Sequence, residues 1–334
     1  MAIIMMISWG CSFSGKNNAE IAVRDIFAMD TYMQLKVSGD DTETALNEAE
    51  SLIKELDGIF SVTNENSDVS RINRADGENT EVSGYTAELI SYAGEICAET
   101  EGALDITIYP VLREWGFTAG EYHIPDEETL SSLLENVDYR KIETDIDSRK
   151  VRIPEGSQLD LGAVAKGYTS DKVIEILRKN GIASGIISLG GNVHALGKKS
   201  DGSLWSVGIV DPFRPEETMC ILSVEDKAVV TSGNYERFFI GVDGKRYCHI
   251  IDPSDGKPAD NGLVSVTVVG ESGALCDALS TALYVMGKDR ATAYQKKNGD
   301  FDMVLVTEDK EIFYTAGLRN SLENVSKMNC SEIA

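Results

Sequence analysis

The chain has 334 residues, 42% of them apolar and 26% charged, the profile of a soluble globular protein with one large domain or two small ones. Its 31 Lys and Arg stand against 55 Asp and Glu, and the net charge of −24 repels polyanions, which argues against nucleic acid as a partner. A phosphate site in such a chain has to rest on backbone N–H groups, one or two cations, or a metal ion.

The first eleven residues, MAIIMMISWGC, are a short apolar run ending at Cys11 and followed by polar SFSGKNNAE. The pattern is that of the end of a bacterial lipoprotein signal, with Cys11 the lipidated residue and residues 1–20 a leader. There is no basic stretch ahead of it, the apolar run is short and Trp9 is bulky; a start assigned too far downstream explains all three. The alternative is a plain disordered N-terminus. No other segment approaches the ~20 apolar residues of a membrane span.

Residues 21–38 alternate loosely and predict strands around a turn at Met29–Asp30. Residues 41–60 predict an amphipathic helix with Ala45, Ala49, Leu52, Ile53 and Leu56 on one face. A loop-rich stretch follows, then a helix capped by Ser83 and stopped by Gly102. Residues 104–117 read as irregular, 125–136 as a short helix begun by Pro125, and 137–161 as strand pieces. The next helix runs from LDLGAVAKGYTSD (159–171) to Gly181. Strands are then expected over 186–197, 204–210, 219–224, 228–231, 237–242, 246–251 and 263–269, followed by a helix over 273–287 and a helix–strand–strand tail. This order predicts an α+β fold with a largely antiparallel sheet. Cys97, Cys220, Cys248, Cys276 and Cys330 show no C-x-x-C spacing and read as small buried hydrophobes.

Five stretches carry candidate chemistry. In LDLGAVAKGYTSD, Asp160 ends a strand, Gly162, Ala163 and Ala165 leave the backbone uncovered, and Lys166 opens a helix, a combination suited to a diphosphate. On this motif alone, a tight turn with a solvated lysine is the better reading. Gly190-Gly191 in ISLGGNVHALG permit close approach of a ligand, or equally a bulge or hairpin. VVTSGNYERFF ends a strand in Thr231, Ser232 and Gly233, with Tyr235, Glu236 and Arg237 beyond. In YCHIIDPSDGKP, His249 is one of three histidines and a candidate proton acceptor, against the plainer reading of a half-buried strand histidine. In ALCDALSTALYVMG, Asp277 and Thr281 are i,i+4 on an otherwise apolar helix, so both oxygens can point at one hard cation.

Taken together and in this order, these stretches resemble the FAD:protein FMN transferase (ApbE) family, as do AMDTYM near the start and ALDITIYPVLREWGF in the middle. The resemblance spans about residues 21–320, and it implies a T-fold-like α+β domain over 21–325. It further implies an enzyme that splits the FAD pyrophosphate with Mg²⁺, transfers FMN to a threonine hydroxyl of an acceptor flavoprotein and releases AMP. Carried over residue by residue, Asp277, Thr281 and the Ala163 carbonyl would bind Mg²⁺. Met29, Ala103, Leu104, Asp105, Asp160, Lys166 and Ile251 would contact FAD, and His249 would take the hydroxyl proton while Lys166 neutralises charge. The implied acceptors are subunits of membrane electron-transfer complexes, which fits a Cys11 lipid anchor on the outer face of the cell membrane; without the anchor the protein is expected to be soluble.

The sequence departs from the family at two places. Asp30 stands where relatives often carry glycine, and Thr63 and Asn64 stand where many carry an aromatic residue. Loss of that aromatic would let water reach the diphosphate. An Mg²⁺-dependent FAD pyrophosphatase is therefore the first alternative, and a non-catalytic FAD-binding protein the second.

Overall fold

The computed structural model describes residues 21–118 and 120–333; Cys11 and the rest of the expected leader lie outside them. A nine-stranded sheet forms the centre, in the order Ile21–Ala28, Thr31–Ser38, Ser184–Leu189, Asn192–Leu196, Ala228–Gly233, Leu263–Gly270, Asp302–Thr307, Glu311–Tyr314 and Asn329–Glu332. Every neighbouring pair is antiparallel except the last. The fold is thus α+β with a largely antiparallel sheet, as expected.

Among the described residues seven α-helices accompany it: α1 (Thr42–Phe60), α2 (Asp68–Asn73), α3 (Gly84–Glu99), α4 (Tyr109–Glu114), α5 (Glu127–Leu134), α6 (Ala165–Lys179) and α7 (Gly273–Asn298). The expected face of α1 is buried, and Leu46 and Phe60 join it. Ser83 caps α3 by accepting from Thr86 N, a contact worth about 1 kcal/mol. Strand alternation divides the core. Val230, Val266 and Val268 face the helices, whereas Val229, Val269 and Val304 face a three-stranded sheet built from Trp205–Asp211, Arg214–Val224 and Leu322–Asn324.

Several boundaries differ from expectation. The loop after α1 contains α2, which Ser67 caps, and the irregular 104–117 stretch contains α4, begun at Pro110. Gly287, at φ 74°, interrupts helical geometry where the 273–287 helix was expected to stop, and the chain then resumes a helix to Asn298. The strand expected over 237–242 is only Phe238–Ile240, and that over 246–251 is broken, leaving His249 between Arg246–Cys248 and Ile251–Asp252. Cys97, Cys220, Cys248 and Cys276 are buried thiols, and Cys330 is half-buried. Among the described residues, no helix is long and apolar enough to cross a membrane.

Candidate active site

The site forms where the N-terminal turn of α6, the first turns of α7 and the end of the strand Ala228–Gly233 meet. Asp160 is fixed by its own backbone, its N–H donating to the Ile106 carbonyl at 2.8 Å, and its carboxylate accepts the Gly162 N–H at 2.5 Å. Burial raises the Asp160 carboxyl, and Arg237 and Lys166 pull it back. Lys166 lies on the first turn of α6, with Nζ 3.4 Å from the Gly162 carbonyl.

α6 and α7 cross at two glycines. A Cβ on Gly167 would lie 2.1 Å from the Gly273 carbonyl oxygen and 2.6 Å from Asp277 Cβ, and one on Gly273 would lie 2.1 Å from Ser170 Oγ. Only glycine lets the helices approach this closely. The Gly167 N–H donates to Asp277 Oδ2 at 2.8 Å instead of closing a helical turn onto the Ala163 carbonyl. Asp171 anchors the start of α7 by accepting from Gly273 N at 2.6 Å and Ala274 N at 3.0 Å. The sequence reading gave Gly167 no role; the structure gives it a helix–helix one.

Asp277 and Thr281 share a face of α7 that packs towards the strand end, where Ser232 Oγ lies 2.7 Å from Ser280 Oγ and 3.3 Å from Thr281 Oγ1. Burial raises the Asp277 carboxyl, opposed first by Lys166 and then by the Gly167 N–H. Asn192, from SLGGN, presents a buried Nδ2 with no full hydrogen bond, close enough to Asp277 to favour its charged form. A buried carboxylate with one nearby ammonium is under-compensated, which is the electrostatic setting a cation completes. Among the described residues, no group of three or more His, Cys, Asp or Glu is disposed for a metal. The set Asp277 carboxylate, Thr281 hydroxyl and Ala163 carbonyl is instead all hard oxygen, and Mg²⁺, which keeps several waters, suits so sparse a set. The residues therefore fit Mg²⁺.

His249 is positioned by Arg237. The His249 N–H donates to the Arg237 carbonyl at 3.0 Å, and Nδ1 lies 3.2 Å from the same oxygen. A carbonyl only accepts, so Nδ1 carries the hydrogen and Nε2 keeps its lone pair. The surrounding protein lowers the imidazole to about 4, with Arg237 and Lys166 adding to the effect, so His249 is neutral at pH 7. Glu236 is exposed to solvent, and the protein around it raises its carboxyl to about 7, against the pull of Lys166 and Arg237. Glu236, Arg237 and Asn192 are the site groups to which the sequence reading gave no role, although VVTSGNYERFF and SLGGN contain them.

The remaining expected contacts fall around this centre. Met29 and Asp30 form the hairpin turn with φ of 49° and 56°, and Met29 N donates to Asp57 at 2.8 Å. The left-handed turn accommodates Asp30, since Asp tolerates that region better than most residues. Ala103, Leu104 and Asp105 are buried; the expected strand ending in Asp160 does not form, the segment making only an isolated bridge from Gln158 to Ile108 and the Asp160 N–H bond to Ile106. The Asp105 carboxylate accepts from Thr107 N at 2.8 Å and Tyr139 N at 3.1 Å, so it shapes this loop and does not present a free charge. Ile251 is packed with Val111, Trp115 and Leu130, and Trp115 Nε1 donates to the Gly256 carbonyl at 2.8 Å.

Residues 29–305 match the ApbE family model. The chain belongs to the ApbE family. It is 33% identical over 271 residues to the FAD:protein FMN transferase of Klebsiella pneumoniae strain 342, covering 80% of this chain and 84% of the relative. It is 34% identical over 275 residues to that of Vibrio cholerae O395, covering 80% and 81%. Among solved structures, the ApbE protein of Thermotoga maritima superposes with a TM-score of 0.82 at 34% identity, covering 88% of this chain and 96% of that one. The apo flavinyl transferase of Pseudomonas stutzeri gives a TM-score of 0.79 at 28% identity, over 88% and 93%. In this ApbE-family chain, Asp277 and His249 both feel the Lys166 ammonium, and Thr281 shares the α7 face of Asp277.

Proposed function

We propose that this protein transfers FMN from FAD to a threonine hydroxyl of an acceptor flavoprotein and releases AMP. The supporting observation is His249, neutral and with Nε2 free, beside the group formed by Asp160, Lys166 and Asp277. The names of the relatives support the reaction class.

FAD would lie against Met29, Ala103–Asp105, Asp160 and Ile251, which orient its diphosphate towards Lys166. Asp277, Thr281 and the Ala163 carbonyl would hold Mg²⁺, which when bound supplies charge neutralisation at the non-bridging phosphate oxygens. The Lys166 ammonium adds to it, partly countering a chain that repels a dianion. His249 Nε2 takes the proton as the threonine oxygen bonds to the FMN phosphorus, and the bond from that phosphorus to the AMP oxygen breaks. Arg237 holds the imidazole in the accepting tautomer throughout.

Water as nucleophile is the second reading, and Thr63 and Asn64 favour it. Both are short, polar and exposed, and neither supplies the aromatic ring that the resemblance expects at this turn. Lipid anchoring through Cys11 on the outer face of the membrane is our reading of the sequence pattern alone. The deciding experiment follows AMP release from FAD and Mg²⁺, with and without an acceptor domain. AMP released only with acceptor, together with covalent flavin, supports the transferase; AMP and free FMN without acceptor give the pyrophosphatase. Retained FAD with no AMP in either case leaves a binding protein.

A further inference from the structure

A two-stranded ribbon joins Arg237 to His249, the histidine whose ring Arg237 positions. It begins at Phe238, directly after Arg237, and ends at Cys248, directly before His249, with Phe238 paired to Cys248, Phe239 to Tyr247 and Ile240 to Arg246. Paired residues share a face and successive ones alternate. The face carrying Phe239 and Tyr247 is covered by the body of the protein. Phe239 stacks on Tyr122 with centroids 5.1 Å apart, and Trp115 lies 5.4 Å from Tyr247. This packing holds the ribbon against the protein; on the other face Cys248 is buried in the core, and Phe238, Ile240 and Arg246 are left exposed.

The exposed part of this face is apolar with a cationic edge. It carries Phe238, Ile240 at 58% exposure and Arg246, whose guanidinium lies 4.3 Å from the Phe238 ring centroid. Val242, in the turn, is fully exposed. From residue 237 to 249 the cations Arg237, Lys245 and Arg246 face a single anion, Asp243, in a chain whose net charge is −24. An apolar, locally basic surface on an acidic protein attracts a partner that is itself apolar and acidic there.

We infer that this face docks the acceptor protein, seating the segment that carries the target hydroxyl. The inference rests on the FMN-transfer reading above and adds the surface that recognises the second substrate. Any acceptor must bring its hydroxyl to His249 Nε2, and the ribbon is continuous with that residue. A second copy of this chain seated here would instead obstruct the approach. The docked segment combines aliphatic side chains, which meet Ile240 and Val242, with carboxylates, which meet Lys245 and Arg246.

The test uses the full chain, with the variant Ile240→Asp/Val242→Asp and its control Ile240→Leu/Val242→Leu. The acceptor probe is a purified flavoprotein domain that takes FMN on threonine, prepared without flavin. In the aspartate variant KM for the domain rises about tenfold or more, kcat stays within about twofold, and FAD affinity by flavin fluorescence and thermal stability are unchanged; the leucine variant behaves as wild type. An unchanged KM overturns the inference. So does a dimer in sedimentation that the aspartate variant dissociates, or loss of binding to anionic lipid vesicles with acceptor KM intact. A wild-type protein that yields no flavinylated domain at all tells instead against the transferase reading.

Discussion

The Gly167 amide donates to the Asp277 carboxylate across 2.8 Å, joining the first turn of α6 to the face of α7 that carries Thr281. The bond exists because the helices touch backbone to backbone, and Gly167→Ala would place a methyl 2.1 Å from the Gly273 carbonyl oxygen. The helices must part to admit it, at a cost of about 1–3 kcal/mol, and Asp277 moves with α7. We expect a lowered Tm and a weakened Mg²⁺ response in the same variant. Thermal unfolding with and without Mg²⁺ checks this, and a Gly167→Ala protein with wild-type Tm in both conditions would refute the crossing as drawn.

Asp277 separates stability from activity. Its carboxylate is buried and under-compensated, so Asp277→Asn, whose amide oxygen can still accept the Gly167 N–H, leaves the metal-free protein as stable as the wild type or more so. Activity should fall by about 100-fold or more, the scale of losing a main stabiliser of transition-state charge. Mg²⁺ should raise the Tm of the wild type and not of the variant, because a ligand stabilises only the fold that binds it. An Mg²⁺-dependent Tm rise preserved in Asp277→Asn would remove Asp277 from the metal site.

The sequence made this i,i+4 pair legible, since a carboxylate and a hydroxyl on one face of an apolar helix demand a partner. Alternation and capping likewise gave the α+β layout, α1, the Ser83 cap and the hairpin turn at Met29–Asp30. Three things were not legible. The role of Gly167 depends on Gly273, over a hundred positions away, and no local pattern reports a helix crossing. The break at His249 depends on the Arg237 carbonyl, which turns an apparently continuous strand into two. Glu236 looked like any surface carboxylate, because its environment comes from Lys166, Arg237 and Asp277 on three other segments or neighbouring positions.

Two groups near Lys166 and Arg237 are displaced in opposite directions, which gives pH tests of opposite sign. His249 is lowered from 6.5 to about 4, so between these values the unfolded chain binds more protons; its contribution to stability is complete above 6.5 and is lost as pH falls towards 4. Glu236 is raised from 4.5 to about 7, so its contribution is complete below 4.5 and is lost as pH rises through 7. For function, His249 stays neutral across pH 5–8, and transfer should show no loss on the acid side near pH 6.5. Ionisation of Glu236 adds a negative charge beside Lys166, and FAD affinity at fixed Mg²⁺ should weaken as pH rises through about 7. Fluorescence titration across pH 5.5–8.5 reads this directly; an identical weakening in Glu236→Gln would assign it to another group.

Thr63, which stands where the resemblance expects an aromatic residue, offers a direct control over the choice of nucleophile. Ser61 Oγ accepts from Thr63 N at 3.2 Å and Asn64 N at 3.0 Å, so the turn is held by Ser61 and the Thr63 side chain is exposed. Thr63→Tyr should therefore fold normally while placing a ring where it can cover the isoalloxazine. Aromatic stacking of this kind is worth about 1 kcal/mol, or about a fivefold gain in FAD affinity. The covered diphosphate is less open to water, so the ratio of covalently bound flavin to AMP released should rise towards one. Measuring both products in one reaction gives the ratio without reference to enzyme concentration. If Thr63→Tyr tightens FAD but leaves the ratio where the wild type has it, water reaches the phosphorus by another route, and the Thr63–Asn64 turn does not decide between hydrolysis and transfer.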